Sequence, residues 1–224
     1  MKKFLLVLLT VGMVVFGVVG LSGCKTHSKK ENELNNYVSY SHDASYTGEN
    51  EKYTVICEVG KKEEVFVDDG KIGKIVPFCT VIVVPKKQDD RNSVNVKLTV
   101  DGKGVSENLP RDMFTENFEK NISTVGEITE IEIENKVIKL TNIMKEYISR
   151  QQIMKIVKEE FKEQIASGYK DGKFCKEFYV KLIRDNNNVK GSHYWYVALI
   201  DGENSFCSIL LDAKTGEVLS KKTT

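Results

Sequence analysis

The pattern of apolar and polar positions changes character along the chain. Phe4 to Gly20 carries no charged residue, whereas Lys25 to Asn32 carries no apolar one. Between there and Glu51, Tyr37, Tyr40 and Tyr46 are scattered without a period of two or 3.6. Residues 24–51 are therefore expected to be a flexible tether, because such a segment cannot bury enough surface to order itself. His27 and His42 are both expected to be solvated within it. From Tyr53 onward the period becomes two, the signature of strands with one buried face. Tyr53 to Val59, Glu63 to Val67, Phe78 to Val84 and Val94 to Val100 are strand predictions. Asp68-Asp69-Gly70-Lys71 and Asp101-Gly102 between them have turn chemistry. Pro110 to Lys120 is expected to be a short helix that turns Met113, Phe114 and Phe118 inward. Ile128 to Leu140 reads as a hairpin turning at Asn135-Lys136. Its Glu130, Glu132 and Glu134 alternate with Ile131 and Ile133, which puts the acids on one solvated strand face.

The last third switches period again. Ser149 and Gln152 form a capping box, with the acceptor at N-cap and Gln three residues on. Ile153, Ile156, Val157, Phe161 and Ile165 then make one apolar helical stripe, and Gly168 follows where a C-terminal cap is expected. The helix is predicted over about residues 150–167. Three strands follow: Phe174 to Arg184, Tyr194 to Ile200 and Ser205 to Asp212. Parity sorts their faces. Phe178, Val180 and Leu182, with Trp195, Val197 and Leu199 and with Cys207, Ile209 and Leu211, should meet the helix. The opposite face holds Tyr179, Tyr194 and Tyr196 among mixed neighbours. A face that is aromatic yet partly polar meets another surface: either the middle domain or a protein partner. The fold class is α+β, with a β-rich, sandwich-like middle domain over 52–143.

Charge narrows the function classes. The chain has 224 residues, with 33 Lys+Arg against 32 Asp+Glu. That balance excludes a nucleic-acid footprint as the main theme. Three His leave little for a zinc centre. No Gly-x-Ser-x-Gly elbow, phosphate-binding loop or Cys-x-x-Cys pair occurs, and Gly70 to Lys74 reads as a turn. Cys175 and His193 lack a third group to orient them as a dyad. Cys57 and Cys79, in two strand predictions, are a candidate disulfide; Cys175 and Cys207 face opposite sides of their sheet. The expectation is a chain without catalytic residues, cofactor or metal.

The first residues read as an address. Met1-Lys2-Lys3 is basic, the apolar run follows, and Leu21-Ser22-Gly23-Cys24 ends it. The ending resembles the lipobox of bacterial lipoprotein signal peptides. That resemblance implies a signal peptide over 1–23, lipidation of Cys24 with diacylglycerol and palmitate, and a place on the outer face of the bacterial cytoplasmic membrane. The alternative is an uncleaved spanning helix, since residues 4–23 are just long enough to cross a bilayer.

Ile148-Ser149, the amphipathic helix, the Tyr194 to Val197 strand and the run Ile209 to Leu219, with its Asp212-Ala213-Lys214-Thr215-Gly216-Glu217 turn, resemble a PepSY domain over residues 145–222. Gln152-Ile153 stands where the family commonly has Glu-Ala. The resemblance implies an extracytoplasmic protein-binding module that regulates or inhibits surface or secreted peptidases. The alternative is a structural interaction lipoprotein of the cell envelope whose β-rich domain binds the partner.

Overall fold

A computed structural model describes residues 33–65, 67, 69–123, 125–185, 192–202 and 206–223. The signal-peptide residues and Cys24 lie outside these. The first strand, β1 (Val38–Glu49), falls inside the predicted tether. It has twelve residues and sits in the interior of a sheet, so the tether expectation does not hold for this stretch. Its buried slots are filled by Ser39, Ser41, His42 and Ser45 as well as Ala44 and Tyr46, which is why hydropathy did not reveal it. A bulge between His42 and Ala44 also breaks the alternation that would mark a strand.

Among the described residues, nine strands precede the helical segment in sequence and six follow it. Before it come β2 (Tyr53–Glu63), β3 (Ile75–Pro85), β4 (Ser93–Val100), β5 (Lys103–Pro110), β6 (Phe118–Ile122), β7 (Ile128–Ile133), β8 (Lys136–Lys139) and the two-residue β9 (Thr141–Asn142). The helices are α1 (Arg150–Glu160) and α2 (Lys162–Ser167). After them come the short pair β10 (Tyr169–Lys170) and β11 (Lys173–Phe174), then β12 (Glu177–Arg184), β13 (His193–Ile200), β14 (Phe206–Asp212) and β15 (Val218–Lys222).

Two strand expectations and one helix expectation shift. Glu63 ends β2 instead of starting a new strand, and the described residues between β2 and β3 belong to no strand. The middle hairpin turns at Glu134-Asn135, both left-handed at φ 52° and 61°. Pro110 to Lys120 is a turn followed by β6, not a helix. Phe118 is buried as expected, but Met113 and Phe114 point outward.

The large sheet runs β15-β14-β13-β12-β1-β2-β3-β6, with β9 also pairing with β1. Its ladders are antiparallel except one: β1 runs parallel to β12, joined through Val38, Tyr40 and Ser41 to Phe178, Tyr179 and Val180. The sheet is thus continuous across the domain boundary expected near residue 144. A second sheet, β5-β4-β7-β8, packs on the first. Val55, Cys57, Val59, Val81 and Val83 from the large sheet share one apolar cluster with Val96, Leu98, Leu109, Ile131 and Ile133. Each large side chain fully withdrawn there contributes about 1.5–3 kcal/mol.

The helix is read correctly at its start and less so in its middle. Ser149 accepts from the Gln152 N–H, and Gln152 returns the bond to the Ser149 N–H at 2.8 Å. Phe161 interrupts the helix with φ −113°, ψ 28° while its ring stays fully buried. Ile153, Val157 and Phe161 form the buried stripe. The nine residues assigned by parity to the helix-facing side of β12, β13 and β14 are all buried.

Candidate protein-binding face

The opposite side of the large sheet carries the residues singled out as a partner face. Tyr179, Lys181 and Ile183 on β12 and Tyr194 and Tyr196 on β13 are half-buried, alternating with the core set. Tyr179 and Tyr196 meet edge-to-face, with ring centroids 6.4 Å apart. Tyr194 is one step further along β13, opposite Ile183. The parallel pairing adds a tyrosine the sequence did not assign: Tyr40 of β1 stacks on Tyr179 at 4.6 Å and 21°. Phe78 of β3 extends the row, 5.2 Å from Tyr40, with the Lys62 ammonium 5.6 Å above its ring. The face therefore crosses five adjacent strands.

Beneath Tyr40 lies His42, whose imidazole is fully buried. This corrects the expectation of a solvated histidine. After Ser41 the backbone of β1 leaves β12, and the next β12 amide would lose its acceptor. His42 Nδ1 replaces it, accepting the Leu182 N–H at 3.2 Å. The ring proton then belongs on Nε2, which faces the Tyr40 hydroxyl at 2.9 Å and Glu58 Oε2 at 3.5 Å. Burial first, and the Lys181 charge second, push the His42 pKa down to about 3, so the ring is neutral. Burial raises the Glu58 carboxyl, opposed by Lys181. Burial also raises the Tyr40 and Tyr179 phenols, helped by Glu58. The phenols stay protonated, and the face can stack and hydrogen-bond without offering a nucleophile.

Gly60 completes the site. It pairs with His42, and a Cβ at this position would stand 2.0 Å from the Ser41 carbonyl oxygen and 2.9 Å from the Phe78 ring. Only glycine lets β1 approach β2 here while the bulge forms.

The other chemistry-bearing residues are apart. Cys175 precedes β12 at the Glu177 end, whereas His193 pairs with Arg184 at the other end and contacts the Tyr147 hydroxyl at 3.0 Å. They form no dyad. Cys57 and Cys79 are free and buried, on one face of β2 and β3. Cys57 is paired with Val81 and Cys79 with Val59, so the two are diagonal neighbours. Diagonal Cα atoms are about 7–8 Å apart, beyond the reach of a relaxed disulfide. Burial pushes both thiols up, that of Cys79 to about 11. Among the described residues no cluster of three or more His, Cys, Asp or Glu could hold a metal ion. Among them also, no helix is long and apolar enough to cross a membrane.

Searches of curated proteins and of solved structures returned no match. A family does match at the C-terminal end, and it covers α1, α2, β12 to β15 and the tyrosines of β12 and β13 but not Tyr40 or His42. Residues 147–222 match PepSY, the peptidase propeptide and YPEB domain, so the chain carries a C-terminal PepSY domain.

Proposed function

We propose that the chain is a membrane-anchored extracytoplasmic protein-binding module that regulates or inhibits a surface or secreted peptidase. A PepSY domain is a propeptide- or inhibitor-type domain rather than a catalytic one. The observation that carries the reading is the aromatic row of Tyr40, stacked on Tyr179, and Tyr196, edge-on to Tyr179. Aromatic side chains half-exposed on a rigid sheet bind a partner with little further loss of conformational freedom. The bait is residues 25–224, and the prey is a metallopeptidase retained from the cell envelope or medium. Tyr196→Ala should weaken that capture about 30-fold, the ~2 kcal/mol of an aromatic hot spot. Unchanged affinity would remove this face as the site.

A second reading, a structural interaction lipoprotein of the envelope, draws on the fact that β1, β2 and β3 supply part of the same face. Retention of envelope proteins without any peptidase would favour it.

The anchor is proposed on Cys24 and the Leu21-Ser22-Gly23 run before it, with the protein held on the outer face of the bacterial cytoplasmic membrane. Two acyl chains at about 0.8 kcal/mol per buried CH₂ hold a protein stably. Metabolic labelling with a palmitate analogue should mark the wild-type chain and leave Cys24→Ala unmarked. Equal labelling of both would discard the lipoprotein reading.

A further inference from the structure

The large sheet has layers on one side only. Ser41 lies on the side opposite Tyr40, and Arg150 of α1 donates to the Ser41 hydroxyl at 3.1 Å. Val55, Cys57 and Val59 face the same way, into the cluster shared with the second sheet. The tyrosine side carries neither the helix nor the second sheet. Its Glu177 end is closed, because Glu177, Ala198 and Ile200 are buried and Gly70 lies against Cys175 and Asp201 there. From Tyr179 onward, Ile56, Ile82, Ile183 and Leu210 join the tyrosines as half-exposed side chains. An apolar patch of this width marks an interaction surface.

The charges on the face are left open. Among the described residues, Lys62 and Lys181 have no carboxylate within ion-pair distance, and the Glu58 carboxylate has only the neutral His42 ring, at 3.5 Å. The strand order shows how a copy of the same face would answer them. Three strands flank β1 on each side, β12, β13 and β14 on one and β2, β3 and β6 on the other, with β15 beyond. A two-fold axis along β1 therefore lays β12 of one copy over β2 of the next, β13 over β3 and β14 over β6. Tyr40 pairs with both Tyr179 and Lys62, so each Lys62 ammonium meets a Tyr179 ring of the second copy. Two residues further along, Lys181 comes over Gly60 and Glu58. Gly60 has no side chain and leaves the lysine room to reach the carboxylate. The contact forms twice, since each copy supplies one lysine and one acid. A two-fold axis across the strands would instead lay β12 on β12, which has no open acid on that face. Seven strands of about six residues each make a patch of about 34 by 20 Å, or about 700 Å² per copy. Specific interfaces bury about 600–1,000 Å² per partner.

We propose that a second copy of the chain covers this face, as a two-fold dimer whose large sheets stack with aligned strands and in which Lys181 of each copy pairs with Glu58 of the other. The inference rests on the reading of the face as protein-binding and adds a regulation of it: a paired copy keeps its tyrosines from a peptidase.

The test expresses two full-length chains together, each with a different tag, and reads how much of the second is retained with the first. Wild type should retain wild type. Glu58→Lys in both chains, or Lys181→Glu in both, should lower retention at least tenfold, because each sets like charges against each other. Glu58→Lys in one chain with Lys181→Glu in the other should return it to within about twofold of wild type, since both contacts are then opposite in sign. That recovery also shows that both variants are folded. No retention of wild type, retention indifferent to both reversals, or loss without recovery in the mixed pair would each overturn the dimer. Peptidase read in the same eluates separates the two claims. Peptidase retained without a second copy would overturn the dimer and leave the proposed function standing. A second copy retained as expected but without peptidase would support the dimer and count against that function.

Discussion

A chain lacking Val38–Glu49 is expected to show no cooperative unfolding transition. β1 lies between β2 and β12, and its removal leaves both with unpaired edges. Those edges carry Val55, Cys57 and Val59 on one side and Phe178 and Val180 on the other, all buried in the intact sheet. The nine ladder positions with β2 and three with β12 each involve backbone groups that would lose partners. At about 0.5–1.5 kcal/mol per hydrogen bond, the loss matches or exceeds the roughly 5–15 kcal/mol that holds a whole domain together. Circular dichroism against temperature checks this, with a chain starting at residue 33 as control. A sigmoidal melt in the deleted chain would show two independently folded halves. The same geometry rules on baits: a chain ending near residue 144 exposes the β12 side of β1. Point substitutions, not truncations, are therefore the way to separate the two functional readings.

His42→Ala is expected to cost about 3 kcal/mol. Truncation leaves the Leu182 N–H buried without its acceptor, at about 1–3 kcal/mol, and opens a space under Tyr40 and Phe78. A fall of roughly 6–12 °C in melting temperature follows for a unit of this size. His42→Asn, whose side-chain oxygen can take the Nδ1 position, should recover part of it. The pH dependence has a definite sign. The folded-state pKa of His42 is near 3 and the unfolded value is 6.5. The unfolded chain therefore binds the extra proton, and the histidine's contribution is whole above 6.5. It is lost as pH falls toward 3, by up to about 1.4 kcal/mol per unit. Glu58 works the other way, because its raised pKa means that acid relieves a buried charge, while Lys181 reinforces the His42 shift and opposes that of Glu58. Denaturant midpoints at pH 7, 5.5 and 4.5 should fall more steeply for wild type than for His42→Ala. Parallel pH profiles would show that the buried imidazole does not set acid stability.

What could be read in advance follows from which residues fill the buried slots. β2, β3, β4 and β7 bury valine and isoleucine, so period-two alternation revealed them. The helix start was legible because Ser149 and Gln152 satisfy each other's backbone through local bonds alone. The PepSY tyrosines were assigned to the correct face of their strands by parity. β1 was hidden because its buried positions hold Ser39, Ser41, His42 and Ser45, whose partners are up to 140 residues away. Tyr40 was lost with it, and so was half of the candidate site. Met113 and Phe114 were misplaced for the opposite reason: apolarity suggested burial, while Asp112 and Thr115 had already specified a turn that turns them outward.

The seam between β1 and β12 also orders events in time. Ser39 and Phe178, which hydrogen-bond across it, are 139 residues apart. Closing a loop of that length costs about 4 kcal/mol of chain entropy before any pairing rewards it. β1 consequently waits until β12 is made for its partner along Val38 to Ser41, and until then it presents an open edge there, able to pair with other chains. A product interrupted before β12 keeps that edge for good. The N-terminal strand thereby registers whether the C-terminal domain has been made, and incomplete copies are left open to proteolysis along that edge.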